Sequence, residues 1–313
     1  MRSLNAALLP AALALTALAV TTLGSPAADQ PDWSTRRYHS VLLSPDDGPV
    51  RLFVEEAGAG PPILLIHGVG GSTYAWRKVA PRLAAAHRVI AIDLKGFGRS
   101  SKPGGSAYAP RDQARLIAQF LAKEDLEHVT LVGHSFGGTV ALTLLLANRE
   151  AARRVDRLVL IDSPAYPQSW PAEVSLLRDP LASKVALSLV QPELVVKLSF
   201  IDSLKSQSAV TSDDIDAYAR PLYEEGASNA LIQTVRQLSW LDLGRLSRGY
   251  PSIAIPALVV WCRDDPIVPL HTGLMLARAL PNATLKIEPG CAHVPLEETP
   301  ARLAHWILNF AVP

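Results

Sequence analysis

Cysteine is scarce in this chain: Cys262 and Cys291 are the only two among 313 residues. That excludes a disulfide scaffold and any cysteine-rich metal site. No histidine–cysteine cluster has metal-ligand spacing, and neither H-E-x-x-H nor C-x-x-C occurs, so no metal and no cofactor are expected. A surplus of charge is also missing, with 30 Lys+Arg against 29 Asp+Glu. A near-neutral surface gives no electrostatic case for nucleic acid or for strongly charged partners. Internal repeats and low-complexity segments are absent. The one long apolar run, Ala6 to Val20, is interrupted by Pro10 and is short for a membrane span of about 20 residues.

That run lies in an export-signal pattern over residues 1–27: Arg2, the apolar stretch, then Ser25-Pro26-Ala27 as a small-x-small cleavage site. An uncleaved N-terminal anchor is the alternative. Removing residues 1–27 takes away Arg2 and no acidic residue, leaving 29 charges of each sign. The expected location is the periplasm or the medium, with no membrane span left after cleavage. In an oxidising compartment the two cysteines have two readings. Each lies near the end of a strand-like run, so they could be bridged, or they could be two buried thiols packing as small apolar groups.

What is present is a steady alternation of short apolar runs with helical stretches. Tyr38 to Leu43 and Val50 to Glu55 read as early strands, and Ile63 to Ile66 and Arg88 to Ile92 as strands buried on both faces. Trp76 to Ala86 and Pro110 to Lys123 read as helices. Val129 to Val132 is a further strand, followed by a helix over Thr139 to Asn148, and Arg157 to Ile161 is the next strand. The rhythm stops at Pro164. From there to about Tyr250 no strand-like run occurs, only helical stretches near 180–190, 193–204, 213–224 and 228–238 punctuated by prolines. This reads as an all-helical insertion over 164–250, whose apolar portion from Val185 to Leu204 suits either a lid or ordinary packing on the core. The rhythm resumes with a strand over Ala257 to Trp261, a helix over His271 to Ala279, a strand over Thr284 to Ile287 and a final helix over Pro300 to Phe310. Such alternation predicts an α/β fold with a mostly parallel sheet covered on both sides.

Chemistry concentrates at VTLVGHSFGGT, residues 129–139. A strand ends in Gly133-His134-Ser135-Phe136-Gly137-Gly138 and a helix follows, which places a serine at the apex of a sharp turn. Glycine at 133 and 137 removes collisions that side chains would cause there, and Gly138 lets the helix approach the sheet. This is the G-x-S-x-G nucleophile elbow in the strand–turn–helix setting that the motif requires. Two other loops are glycine-rich, His67 to Ser72 and Asp93 to Ser100. His67 and Asp93 are expected to brace those loops by hydrogen bonds.

HGVGGS at 67–72, DLKGFGRS at 93–100, GHSFGG at 133–138, RDDPIVP at 263–269 and GCAH at 290–293 together resemble the α/β-hydrolase superfamily, in its subgroup with a serine nucleophile and a helical cap after the sixth strand. The resemblance runs from about Tyr38 to the C-terminus and divides the chain into core (28–163), cap (164–250) and core (251–313). It implies a triad of Ser135, Asp265 and His293, in the expected chain order. The family pattern prefers Asp265 to its neighbour Asp264; Asp162 occupies a place that some relatives use for the acid. His134 and His271 are set aside as the base. The resemblance also implies an oxyanion hole made by the backbone N–H groups of Val69 and Phe136.

A serine hydroxyl needs a base within hydrogen-bond reach, and the base needs a carboxylate to fix its tautomer. The expected activity is cleavage of a carboxylic ester of a small, apolar acyl substrate through an acyl-enzyme. The alternatives are a carbon–carbon bond hydrolase of ring-cleavage products, which shares this cap, and a ligand-binding member of the fold without catalysis.

Overall fold

The computed structural model describes residues 36–44, 48–169 and 190–312, together with residues 175, 178, 179, 183, 187 and 189. The segment expected to be an export signal and most of the helical stretch expected near 180–190 lie outside these residues.

Eight strands form one sheet: β1 (Arg37–Leu43), β2 (Val50–Ala57), β3 (Pro62–Ile66), β4 (Arg88–Ile92), β5 (Val129–His134), β6 (Val155–Ile161), β7 (Ala257–Cys262) and β8 (Ala283–Glu288). Their order is β1-β2-β4-β3-β5-β6-β7-β8. β1 pairs with β2, and β2 with β4, antiparallel; every later pairing is parallel. The sheet is therefore mostly parallel, as the alternation of runs requires.

The continuous apolar runs are explained by burial on both faces. Alternate side chains of a strand point to opposite sides. On one side Leu64, Ile66, Leu131, Leu158, Leu160 and Val259 join a core with helices α2 (Pro110–Lys123) and α3 (Phe136–Ala147). On the other, Ile63, Leu65, Val132, Val159, Leu258 and Val260 join Trp76, Leu83, Leu303 and Ile307. β8 is an edge strand with only its last residue, Glu288, buried, which is why its sequence is less apolar.

One expected helix is not continuous. Residues 76–86 form the end of a 3-10 turn (Thr73–Trp76) and a single α turn, α1 (Ala80–Leu83). Pro81 sits in the first turn of α1 and cannot donate to a preceding turn, so the helical spacing is split there. β5 in turn runs two residues further than its apolar run, through Gly133 and His134.

Between β6 and β7 every described element is helical: α5 (Pro192–Ser203), α6 (Ser212–Ala219), α7 (Ala227–Gln237) and α8 (Trp240–Leu246), after the short α4 (Arg149–Arg153) that precedes β6. α5 buries Val196 and Phe200 while Leu194, Leu198 and Ile201 remain exposed. The end of α5 is tied to the core through the loop after β8, described below. Helix α9 (Leu270–Ala279) links β7 to β8, and α10 (Pro295–Glu298) and α11 (Pro300–Ala311) close the chain. Among the described residues no helix is long and apolar enough to cross a membrane. Cys262, at the end of β7, is disulfide-bonded to Cys291 in the loop after β8, with their Cα atoms 5.3 Å apart. Of the two readings of the cysteines, the bridge is the one the structure contains.

Candidate active site

In a parallel sheet the loops beyond the carboxyl ends of the strands converge on one edge. Ser135 follows β5, Asp265 lies three residues past β7, and His293 lies five residues past β8. All three arrive at that edge.

Ser135 caps the N-terminus of α3 with φ 50° and ψ −122°, a conformation that L-residues rarely occupy. The turn is possible because glycines flank it. A Cβ at Gly137 would overlap the Ile66 carbonyl, and one at Gly133 would lie 2.5 Å from the Gly137 backbone. The Ser135 amide donates to Ile161 O (2.8 Å), and the serine carbonyl accepts from Gly138 N (2.9 Å). The strain is thus held by β6 on one side and by the helix on the other.

The serine Oγ lies 3.1 Å from His293 Nε2, and His293 Nδ1 lies 2.8 Å from Asp265 Oδ2. Asp265 is buried, and its Oδ1 accepts from the amides of Ile267 (2.8 Å) and Val268 (2.9 Å). That leaves Oδ2 for the imidazole and fixes the carboxylate plane. Nδ1 is therefore the donor toward Asp265, and Nε2 is left to accept from the serine hydroxyl. Asp264 points elsewhere: it is exposed and paired with Lys205 Nζ (2.5 Å).

The two residues expected to offer amides stand beside the serine. Phe136 supplies the first N–H of α3, at the positive end of a 12-residue helix. Val69 follows Gly68, where an added Cβ would lie 3.1 Å from Ser135 Cβ, so the glycine loop passes directly against the serine. Val69 itself is half-buried and packs on the core.

His67 and Asp93 brace their loops. His67 accepts from Leu94 N at Nε2 (3.0 Å) and donates from Nδ1 to Gly68 O (2.7 Å). Burial lowers its pKa to about 4, so it stays neutral near pH 7. Asp93 accepts from Thr73 N and Arg99 N, both at 2.6 Å. Burial raises its pKa to about 6, against the effect of those two amides. His271 lies in the first turn of α9 and makes none of the triad contacts.

Three features were not legible in the sequence. His134 Nε2 donates to the His293 carbonyl (2.9 Å); burial, with the charge His293 can carry, lowers the pKa of His134 to about 3. The His293 amide donates to Ser203 O at the end of α5 (2.8 Å). Glu298 accepts from Ala292 N (2.8 Å), Lys205 N (2.7 Å) and Ser206 N (3.1 Å), joining the His293 loop to the segment after α5. No spacing in the chain links residues 203–206 to 291–298; only the fold brings them together.

A family model described as alpha/beta hydrolase fold matches residues 61–300. The chain belongs to the alpha/beta hydrolase fold family. Among the relatives in this family, the 2-hydroxymuconate semialdehyde hydrolase of Pseudomonas sp. (strain CF600) is 32% identical over 271 residues, covering 83% of this chain and 90% of that protein. An uncharacterized protein of Mycobacterium tuberculosis is 31% identical over 263 residues, 81% of this chain and 76% of that one. Among solved alpha/beta hydrolases, a thermophilic esterase from Thermogutta terrifontis superposes with a TM-score of 0.72 at 23% identity, over 87% of this chain and 97% of the other. That last likeness is one of fold. Family and relatives support hydrolase activity.

Proposed function

We propose that the chain is an exported serine hydrolase that cleaves a carboxylic ester of a small, apolar acyl substrate. The observation that carries this reading is the unbroken series Ser135 Oγ–His293 Nε2 (3.1 Å) and His293 Nδ1–Asp265 Oδ2 (2.8 Å). In this reading Ser135 attacks the substrate carbonyl as His293 takes its proton, and Asp265 stabilises the imidazolium. The amides of Val69 and Phe136 hold the tetrahedral oxyanion. His293 returns the proton to the leaving group, and water activated by the same histidine releases the acid. Losing one oxyanion donor in enzymes of this kind costs roughly 100- to 1,000-fold in rate.

Export is supported by the signal-like pattern of residues 1–27 and by the Cys262–Cys291 disulfide, since such bonds persist in oxidising compartments. A second reading is cleavage of a carbon–carbon bond, favoured by the 32% identity to 2-hydroxymuconate semialdehyde hydrolase. A ligand-binding role without chemistry is disfavoured by the full set of triad contacts.

The test is labelling with a fluorophosphonate, followed by a panel of acyl esters of graded length, a lactone and a vinylogous diketone. Wild type is expected to label and Ser135→Ala not to. Equal labelling of the two removes the serine-hydrolase reading. Turnover of the diketone but of no ester replaces the first reading by the second.

A further inference from the structure

One buried acid at this edge of the sheet has no part in the mechanism above. Asp162 follows β6, is fully buried, and is one of four non-glycine residues with positive φ among the described residues, at 46°. That backbone is held by its amide, which donates to Val260 O (3.1 Å), and it directs the carboxyl toward the start of the loop after β7. Oδ1 accepts from Cys262 N (2.7 Å). Oδ2 is buried and meets no donor. Asp265 lies three residues past Cys262, and its carboxylate is the charge that bears most on Asp162, ahead of that of Glu298.

Two facing buried carboxylates cannot both ionise cheaply. Asp265 has three donors, the amides of Ile267 and Val268 and His293 Nδ1. A carboxylate has about four lone-pair sites, so one remains. Asp162 has a single donor and an unmatched oxygen, and an unmatched buried charge is costly. Placing a proton on Asp162 removes both difficulties at once. Its orphaned oxygen becomes a donor, and Asp265 gains a fourth.

We propose that Asp162 is a positioning residue of the triad: it keeps its proton and donates it in an O–H···O bond to the Asp265 carboxylate, which orients that carboxylate toward His293. Burial first, and the Asp265 charge second, push Asp162 well above the usual carboxylate range, against the Cys262 amide. The assignment rests on the triad reading only for its functional consequence; the proton itself is independent of it.

Asp162→Asn keeps an acceptor for Cys262 N–H, supplies an N–H donor to Asp265 and tolerates the positive φ. It is expected to retain kcat within about threefold, with the acidic limb of the kcat/KM profile unmoved, because a neutral group replaces a neutral one. Asp162→Gly tolerates the backbone and has no donor. It should lower kcat roughly ten- to a hundredfold with KM held within about twofold. The proton is read directly by infrared difference spectroscopy of wild type against Asp162→Asn near neutral pH, where a protonated carboxyl C=O band should vanish in the variant. Absence of that band, or a shifted acidic limb in Asp162→Asn, overturns the proposal, even if Ser135 labels normally. The band present with an unreactive Ser135 keeps the proton assignment and removes the triad reading instead.

Discussion

His134 Nε2 donates a hydrogen bond of 2.9 Å to the backbone carbonyl of His293. The residue just before the candidate nucleophile thus holds the main chain of the candidate base, so one edge of the elbow sets the position of both partners. The bond fixes His134 as the Nε2–H tautomer.

His134→Phe keeps a ring in the same space and removes the donor. We expect kcat/KM for the best substrate to fall about tenfold, as loss of one positioning hydrogen bond allows. Because the pKa of His134 is lowered to about 3, the bond does not switch in the working range. The ratio of wild type to variant should therefore stay flat with pH above about 5. A ratio that changes steeply there would show that His134 titrates, against this account.

His67 gives a pH dependence of stability with a defined sign. Its ordinary pKa of 6.5 applies to the unfolded chain, and burial lowers it to about 4 in the folded one. Between these values the unfolded chain binds more protons, so stability is full above about pH 6.5 and declines as pH falls toward about 4. The loss attributable to His67 is roughly 3 kcal/mol. His134 acts in the same direction. Asp93, raised from 3.8 to about 6, acts in the opposite one, since its contribution is present below 3.8 and is lost as pH rises through 6. His67→Gln isolates the first effect: its unfolding free energy from urea titration should fall by about 3 kcal/mol less than that of wild type between pH 7 and pH 4. Parallel declines in the two proteins would refute it.

The disulfide ties together the two loops that carry Asp265 and His293. It joins residues 29 apart, which in the chain-entropy account corresponds to about 3–4 kcal/mol. The Cys262→Ala/Cys291→Ala double variant should lose roughly that stability in urea unfolding and also lose activity. Thiol titration is the check on the bridge itself. Wild type unfolded without reductant should show no reactive thiol, and two reactive thiols would remove the bridge from the account.

Most of the sheet was legible because a strand buried on both faces leaves an unbroken apolar run, as at Ile63 to Ile66 and Ala257 to Trp261. Pro110 to Lys123 matches its helix at both ends, since proline at the first position marks its start. The 76–86 stretch was misread because apolar spacing persists across the break between a 3-10 turn and the short α1, which has Pro81 in its first turn. Ser135, Asp265 and His293 stood out because each lies in a short, patterned loop. The contacts around them were silent: His134, Ser203 and Glu298 bond between segments far apart in sequence, and two of these bonds use only backbone groups on the His293 side. Backbone partners leave no residue type to recognise.

Arg77 joins the loop after β3 to both the helical insertion and the His293 region. It makes paired bonds to Glu297 (2.5 and 2.8 Å) and a third to Asp214 on α6 (2.5 Å), and it stacks 4.1 Å from the centre of the Tyr74 ring. Glu297, whose side chain is fully buried, also accepts from Tyr218 OH (2.6 Å) and pairs with Lys78 (2.7 Å). Arg77→Met leaves Asp214 without its cation and Glu297 with Lys78 as its one cation beside the Tyr218 hydroxyl, so we expect a loss of roughly 3 kcal/mol in urea unfolding. Arg77→Lys should recover little, because a single ammonium cannot reproduce the fork that spans both carboxylates. Glu297 N bonds to Val294 O (3.0 Å), one residue past His293, so a shift of Glu297 is transmitted to the candidate base. Arg77→Met should therefore lower kcat in proportion to its effect on that loop. Measuring kcat and unfolding free energy for both variants separates two cases: loss of stability with kcat untouched would make the cluster a structural latch alone, uncoupled from His293.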